Sequence, residues 1–490
     1  SFDRVVDLIP NTNPFLKDLL AELTTEGAVD LEELGVGQLV QMLRQADVEA
    51  ILQDIGRQTG GGREDPVVHF YETFLAAYDP EMRLGRGVFY TPEPIVSYIA
   101  RSIEHILKTQ FDRPIGLADK DVLVLDPAVG TATFLYFVIQ QIHETLQTIG
   151  VTGAWNDYVK NHLLTRLFGF EILMAPYTVA HMKLGILLRE TGYEFDSDQR
   201  LGIYLTNTLE RPVFRQEVAP FARYITQEAN AAAEIKRDKP IMVVLGNPPY
   251  RKLSANRGRY IEHLMERYKQ AVQDEKNIQP LSDDYIKFIR FAHDRIERTG
   301  YGVVGMITNR SYIAGLIHRG MREELIRSFD EIYILDLHGD ILETSPEGVL
   351  DQNVFDIRQG VAISLFVKQD NNAERQPKVN YAELWGLQEE KYDTLLDNDV
   401  STTGWRVIDP IAPDFFFVPK DFELSSEYEE GWSLPDVFQI NASGLKTHRD
   451  HLVLDFDEQR LRARITAIRG DEFSEHQLKQ RFDLHDTNSW

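Results

Sequence analysis

The sequence contains no cysteine. That excludes disulfides, thiolate metal sites and a cysteine nucleophile, and it fits a cytoplasmic location. No apolar run approaches the ~20 residues needed to cross a bilayer, so no membrane contact is expected. Nor does a signal-peptide pattern open the chain. Basic residues are in the minority, 52 Lys and Arg against 77 Asp and Glu, which leaves a formal net charge of −25. That balance counts against a nucleic-acid-binding surface, because phosphate contacts need clustered Lys and Arg. A basic cleft inside an acidic shell remains compatible with it, and overall acidity suppresses non-specific binding. Neither a Walker-type phosphate loop nor a nuclease cluster is recognisable. The 490 residues exceed the usual single domain of ~100–200 residues, so two or three units with a sizeable core are expected.

Residues 1–84 read as helical. Leu16, Leu19, Leu20 and Leu23 recur at helix spacing, as do Leu39, Met42, Leu43 and Ala46. Gly60-Gly61-Gly62 reads as a hinge, and a further helix is expected over Pro66–Tyr78. This part reads as a cap or connector. From about residue 85, short apolar runs alternate with helical segments. Strands are predicted around 122–125, 167–170, 201–205, 241–245, 301–307, 332–337 and 361–367, with helices from Thr133, around 177–188, 284–295 and 322–329. Such alternation implies an α/β, doubly wound, mostly parallel sheet. Ligands bind such sheets beyond the carboxyl ends of the strands. The tail from about residue 401 is less regular. It holds the aromatic run Asp414-Phe415-Phe416-Phe417 and a basic stretch at Arg460, Arg462, Arg464 and Arg469.

Four strand ends carry candidate chemistry. The first runs into Asp126-Pro127-Ala128-Val129-Gly130-Thr131-Ala132-Thr133, a turn of small residues opening a helix, where backbone can approach a ligand closely. Asp126 can meet a ligand ammonium there, although such a turn can also be a mere tight connection. The second strand ends at Glu171, placed either to accept from both hydroxyls of a ribose or to cap the following helix. Asn207, after the third, offers donor and acceptor to the edge of an adenine ring, or simply closes a turn. The fourth strand ends in Asn247-Pro248-Pro249-Tyr250. Two prolines fix two φ angles and remove two N–H donors. What is left is a stiff turn of carbonyl acceptors, one amide oxygen and an aromatic ring. That suits gripping a planar NH2 group, with one hydrogen on Asn247 Oδ1, one on the Pro248 carbonyl, and Tyr250 stacked on the ring that bears it.

Together these residues resemble the ordered motifs of amino-group DNA methyltransferases. Gly87-Val88-Phe89-Tyr90-Thr91-Pro92 is similar to the motif that closes over the methionine end of the cofactor, and its upstream position matches the gamma-type order. Asn353-Val354-Phe355-Asp356-Ile357 is similar to the segment whose aromatic residue packs against an extruded base; Phe355 is the matching position, with sheet core as the alternative. The resemblance covers roughly residues 65–450. It points to the methyltransferase part of the single-chain type ISP restriction–modification enzymes, in which a helical coupler like Phe70-Tyr71-Glu72-Thr73-Phe74-Leu75 precedes Tyr-Thr-Pro. One departure stands out: Ala132 occupies the place of a second glycine, and Val129 that of a cysteine or threonine. Alanine costs more than glycine at positive φ and adds a methyl where backbone nears the cofactor.

The resemblance implies a class I S-adenosylmethionine-dependent methyltransferase fold, with a seven-stranded sheet over residues 85–400 after an N-terminal helical region. Residues 401–490, from Asn441-Ala442-Ser443-Gly444-Leu445-Lys446-Thr447 onward, are expected to begin an incomplete target recognition domain of a longer protein. A nuclease and a translocase are implied beyond this chain. S-adenosylmethionine is expected across Tyr90, Thr91, Pro92, Asp126, Ala128, Gly130, Glu171, Ile172 and Asn207. An adenine turned out of double-stranded DNA is expected at Asn247, Pro248, Tyr250 and Phe355, methylated at N6 without a metal or a covalent enzyme intermediate. This requires Asn247 and Glu171 to share one cavity. Methylation of RNA or of a protein glutamine would suit the same turn, and an inert scaffold is the remaining alternative.

Overall fold

The computed structural model describes residues 91–482, except 196–198, 213, 215–219, 252–253, 371–375, 439, 441–449 and 471–472. The helical reading of residues 1–84, Tyr90 and the segment Asn441–Thr447 lie outside the described residues. Contacts divide the chain into two units, 1–420 and 421–490.

In the first unit, runs of β-branched and apolar residues form strands whose side chains alternate between two cores. These are β1 (Val124–Asp126), β2 (Leu167–Glu171), β3 (Ile203–Leu205), β4 (Val243–Gly246), β5 (Gly302–Asn309), β6 (Glu331–Asp336) and β7 (Val361–Lys368). Val124, Val243, Val303 and Ile363 face one core, while Leu125, Val244, Val304 and Ala362 face the other. The period-2 alternation of a strand thus serves two buried faces at once, which is why these runs read as continuously apolar. One face is covered by α1 (Glu93–Gln110), α2 (Thr133–Thr148) and α3 (Met174–Glu190). The other is covered by α4 (Pro220–Asp238), α5 (Arg259–Lys269), α6 (Asp284–Thr299) and α7 (Arg319–Ser328).

The strand order is β3-β2-β1-β4-β5-β7-β6-β8-β9. Strands β1 to β5 are parallel, and β7 is inserted antiparallel between β5 and β6. The first seven strands in this order make up the doubly wound sheet of the class I methyltransferase fold. The sheet nevertheless has nine strands rather than the expected seven. Strand β8 (Lys378–Glu383) pairs parallel to β6, and β9 (Arg406–Ile408) pairs antiparallel to β8, with α8 (Gln388–Asp397) between them. Two of the three β9 residues are exposed, so its pattern carries no burial signal to distinguish it from loop. Order reverses at β1, with β2 on one side and β4 on the other, so the crevice beyond their carboxyl ends is the natural ligand site. Among the described residues, no helix is long and apolar enough to cross a membrane.

Among the described residues, the second unit holds short helices, the longest of them Glu458–Arg469. Its basic stretch is largely neutralised locally. Arg462 pairs with Glu458 at 2.8 Å, Arg464 pairs with Asp455, and Arg460 lies 3.7 Å from Asp457.

Within the first unit, the aromatic run at 414–417 is tied to α7 through one buried cation. The Arg322 guanidinium is fully enclosed and donates to the carbonyls of Tyr312, Gly315 and Asp414. Burial pulls its pKa down to about 10. The guanidinium lies 5.2 Å from the Phe416 ring centre, and Phe417 is fully buried against Tyr312, its N–H donating to Ile313 O at 2.9 Å. Arg322→Met leaves three carbonyls without their donor and should cost roughly 3 kcal/mol or more in urea unfolding. A loss below about 1 kcal/mol, the level of an ordinary substitution, would contradict this role.

Candidate functional site

The turn between β1 and α2 is set by its own backbone. Ala128 N–H donates to Asp126 Oδ1 at 3.0 Å, and Ala132 N–H to Val129 O at 2.7 Å. Gly130 has φ 53°, and a Cβ there would meet nothing within 4 Å, so its face opens onto free space. Ala132 adopts φ 65° and ψ 31°, the left-handed conformation in which glycine would be less costly. Glu171, at the end of β2, is 9 % exposed rather than on the surface. It accepts Gly130 N–H at 3.0 Å on one oxygen and Ile172 and Leu173 N–H at 2.9 and 2.8 Å on the other. Glu171 therefore ties the first strand-end turn to the second, at the threshold of α3.

Asn207 closes an Asx turn, its Oδ1 accepting Leu209 N–H at 3.0 Å. Its Nδ2 donates to Asn256 Oδ1 at 3.0 Å, and Asn256 Nδ2 donates to Asp284 Oδ1 at 3.0 Å. This amide–amide–carboxylate chain joins the third strand end to α6. Lys236 from α4 braces it by donating to Asn207 O at 2.6 Å, with its ammonium 5.2 Å from the Phe170 ring centre.

The Asn247-Pro248-Pro249-Tyr250 turn leaves β4 with its amide held at both ends. Asn247 Nδ2 donates to Thr91 Oγ1 at 3.0 Å, and Tyr250 OH donates to Asn247 Oδ1 at 2.8 Å. Tyr250 OH also lies 3.3 Å from Ile307 O on β5. Its ring meets Tyr285 edge-on at 6.2 Å, and burial pushes its pKa well above the usual phenol value. Thr91 is buried, and the adjoining Pro92 caps the start of α1. Asn247 is thereby locked with its oxygen toward Tyr250 and its nitrogen toward Thr91.

One cleft of about 330 Å³ gathers Thr91, Asp126, Ala128, Gly130, Glu171, Ile172, Asn207 and Asn247. Asn247 and Glu171 thus face the same space. Pro92, Pro248, Tyr250 and Phe355 are not on its wall. Tyr250 stands behind Asn247. Phe355 is buried in the core on the α1 side, and it borders a separate cavity with Gly339 and Asn353 in the β6–β7 connection. Among the cleft residues that no motif announced are Arg251, Asn256, Asp284 and Phe288. Asp284 and Phe288 lie one turn apart on α6, a spacing that marks one helix face but does not say which cavity it meets.

Asp126 is 1 % exposed, and burial pushes its pKa up to about 8, aided by the nearby Glu171 carboxylate. Its only hydrogen-bonded relief comes from the Ala128 N–H. Close behind it, Gly246 has φ 154° and leaves no room for a Cβ, which would fall 2.8 Å from Asp126 Oδ1. The cleft therefore presents a buried carboxyl that a cation would ionise, a polar strand-end turn, and apolar walls at Ile172, Phe170 and Phe288.

Residues 62–331, more than half of the chain, match the family described as N-6 DNA Methylase. No curated protein sequence matches significantly. Among solved structures, the chain is similar to the ATP-dependent type ISP restriction–modification enzyme LlaBIII bound to DNA (25% identity, TM-score 0.68, 86% of this chain and 30% of that one). It is also similar to DrdV in a complex with DNA (24% identity, TM-score 0.64, 94% and 46%). A third match is a nuclease-deletion mutant of the type ISP enzyme LlaGI in complex with a DNA substrate mimic (22% identity, TM-score 0.66, 95% and 38%). The chain thus spans less than half the length of each of these proteins.

The raised Asp126 pKa has a definite sign. In the folded chain the carboxyl stays protonated to about pH 8, whereas unfolded it ionises above 3.8. The fold therefore loses stability progressively as pH rises through that window. Asp126→Asn removes this loss, so its stability gain over the parent should grow from about pH 4 to about pH 8 and level off above. A gain that does not change with pH in urea unfolding would contradict the assignment.

Proposed function

The chain belongs to the N-6 DNA methylase family, and from that premise we propose that it moves the methyl group of S-adenosylmethionine to N6 of an adenine turned out of double-stranded DNA. The observation that carries this reading is the shared cleft: the strand-end residues expected for the cofactor and the amide expected for the target amine open onto one space. The cleft's chemistry fits the cofactor. Asp126 is a buried carboxyl placed to meet an ammonium, and the open face of Gly130 leaves backbone accessible where a methionine chain would lie. Glu171 is set to hold the ribose hydroxyls, with Ile172 alongside, and Asn207 to meet the adenine edge.

S-adenosylmethionine, when bound, supplies an electrophilic methyl group on a sulfonium. The chain's own residues do the positioning. A carbonyl oxygen has two lone pairs, so Asn247 Oδ1 keeps one for the target amine while accepting the Tyr250 hydroxyl on the other. The Pro248 carbonyl takes the second amine hydrogen. Gripping both hydrogens draws the nitrogen lone pair out of the ring and toward the methyl. Because Thr91 and Tyr250 fix the amide beforehand, no reorientation is spent at the moment of transfer. Tyr90, Thr91 and Pro92 close over the methionine end. Phe355 reaches the extruded base from the β6–β7 connection once DNA is bound. The turn before α2 carries Ala132 at φ 65°, which the cofactor must accommodate. We place the chain in a restriction–modification system, joined to or working with nuclease, translocase and target recognition parts. Residues 401–490 would begin the last of these.

Two variants test the reading with a labelled cofactor and DNA from a host lacking adenine methylation. Asn247→Ala should lower transfer at least about 100-fold while cofactor affinity stays within about twofold. Near-parental transfer by that variant would refute the role of Asn247. Glu171→Ala should weaken cofactor binding roughly tenfold or more in calorimetry, and an unchanged dissociation constant would remove Glu171 from the cofactor site.

A further inference from the structure

Among the described residues that line the cleft, Arg251 is the one cation, and the acidic ones are Asp126, Glu171 and Asp284. It directly follows the Asn-Pro-Pro-Tyr turn and is partly buried. Its backbone is pinned on both sides: its N–H donates to Asp283 Oδ1 at 2.8 Å, and its carbonyl accepts Asp284 N–H at 3.3 Å. Its guanidinium has no hydrogen bond or ion pair with any described residue. An arginine fixed at its root, with its head free in a cleft of an acidic chain, carries five donors and a permanent charge toward an anion. It is a poor neighbour for S-adenosylmethionine, whose net charge is positive and whose adenosine half carries no anion. The cofactor's single carboxylate belongs with the methionine end, expected at Thr91 and Asp126, whereas Arg251 follows directly on the turn that carries the Asn247 amide.

We propose that Arg251 binds a backbone phosphate flanking the target adenine, so that the turn that grips the base also holds the strand it swings from. The proposal rests on the functional reading above and adds a strand-anchoring site to it. A phosphate is attached to either side of any nucleotide in DNA, and a guanidinium can meet its two oxygens in parallel. A base rotated out of the stack carries its phosphates toward the protein, so an anchor four residues beyond Asn247 fixes how deeply the base enters. The contact is indifferent to sequence, as expected of a residue on the catalytic unit rather than in a recognition domain.

The test uses the full chain, its Arg251→Ala and Arg251→Lys variants, and a mixed-sequence duplex as probe, with sinefungin filling the cofactor site. In Arg251→Ala the dependence of log affinity on log salt should become shallower by about one, and duplex affinity at moderate salt should drop about tenfold. Arg251→Lys should recover much of the salt dependence, since it keeps the charge without the fork. S-adenosylmethionine affinity should stay within about twofold in both variants. An unchanged salt slope in Arg251→Ala overturns the proposal. So does a loss confined to S-adenosylmethionine affinity, which would mean that Arg251 serves the cofactor's carboxylate or adenine. A parent chain that binds cofactor and duplex yet methylates no adenine would instead sink the functional reading and leave the phosphate contact standing.

Discussion

The site depends on one side chain held at both ends. The Asn247 amide donates to Thr91 and accepts from Tyr250, so it can neither flip nor swing out of the turn. Three separately folded pieces must be in register for this to hold. Strand β4 delivers the turn, the segment leading into α1 delivers Thr91, and β5 supplies the Ile307 carbonyl beside the Tyr250 hydroxyl. Parallel pairing of β4 with β5, Val243 to Val303 through Gly246 to Met306, fixes that last relation. Nine strands and two helical layers thus serve to place a single oxygen.

A second constraint is electrostatic. The chain is strongly acidic, and its cleft holds Asp126 in a setting that disfavours its ionised form. Asp126 and Glu171 lie close enough to raise the pKa of Asp126, and Glu171 is partly compensated by three backbone N–H groups. A ligand that brings positive charge relieves this arrangement, while a neutral or anionic one does not. The same logic isolates Arg251, whose charge is of the wrong sign for that ligand and of the right sign for a nucleic-acid strand.

Much of this was legible in the sequence, for a definite reason. Strands buried on both faces appear as apolar runs, and the turns after them carry unusual residues because ligands meet them there. Asp126, Glu171, Asn207 and Asn247 were found that way, and they line one cleft. What was not legible depends on contacts between distant segments. Asn256 lies in a connection without periodicity, and only its hydrogen bonds to Asn207 and Asp284 bring it to the cleft. Phe288 sits within an ordinary helical pattern. Strand β9 is too short and too exposed to announce itself. Phe355 and Tyr250 carry motif positions, yet both pack beside or behind the cleft rather than on its wall, an arrangement that no spacing rule foretells.

The most direct measurement is a crystal structure of the chain with S-adenosylhomocysteine bound. The account predicts the ribose hydroxyls on Glu171, the ammonium near Asp126 and the sulfur directed toward the Asn247 amide. A ligand bound in the reverse sense, or with its sulfur turned away from Asn247, would leave no common reaction centre and contradict the account.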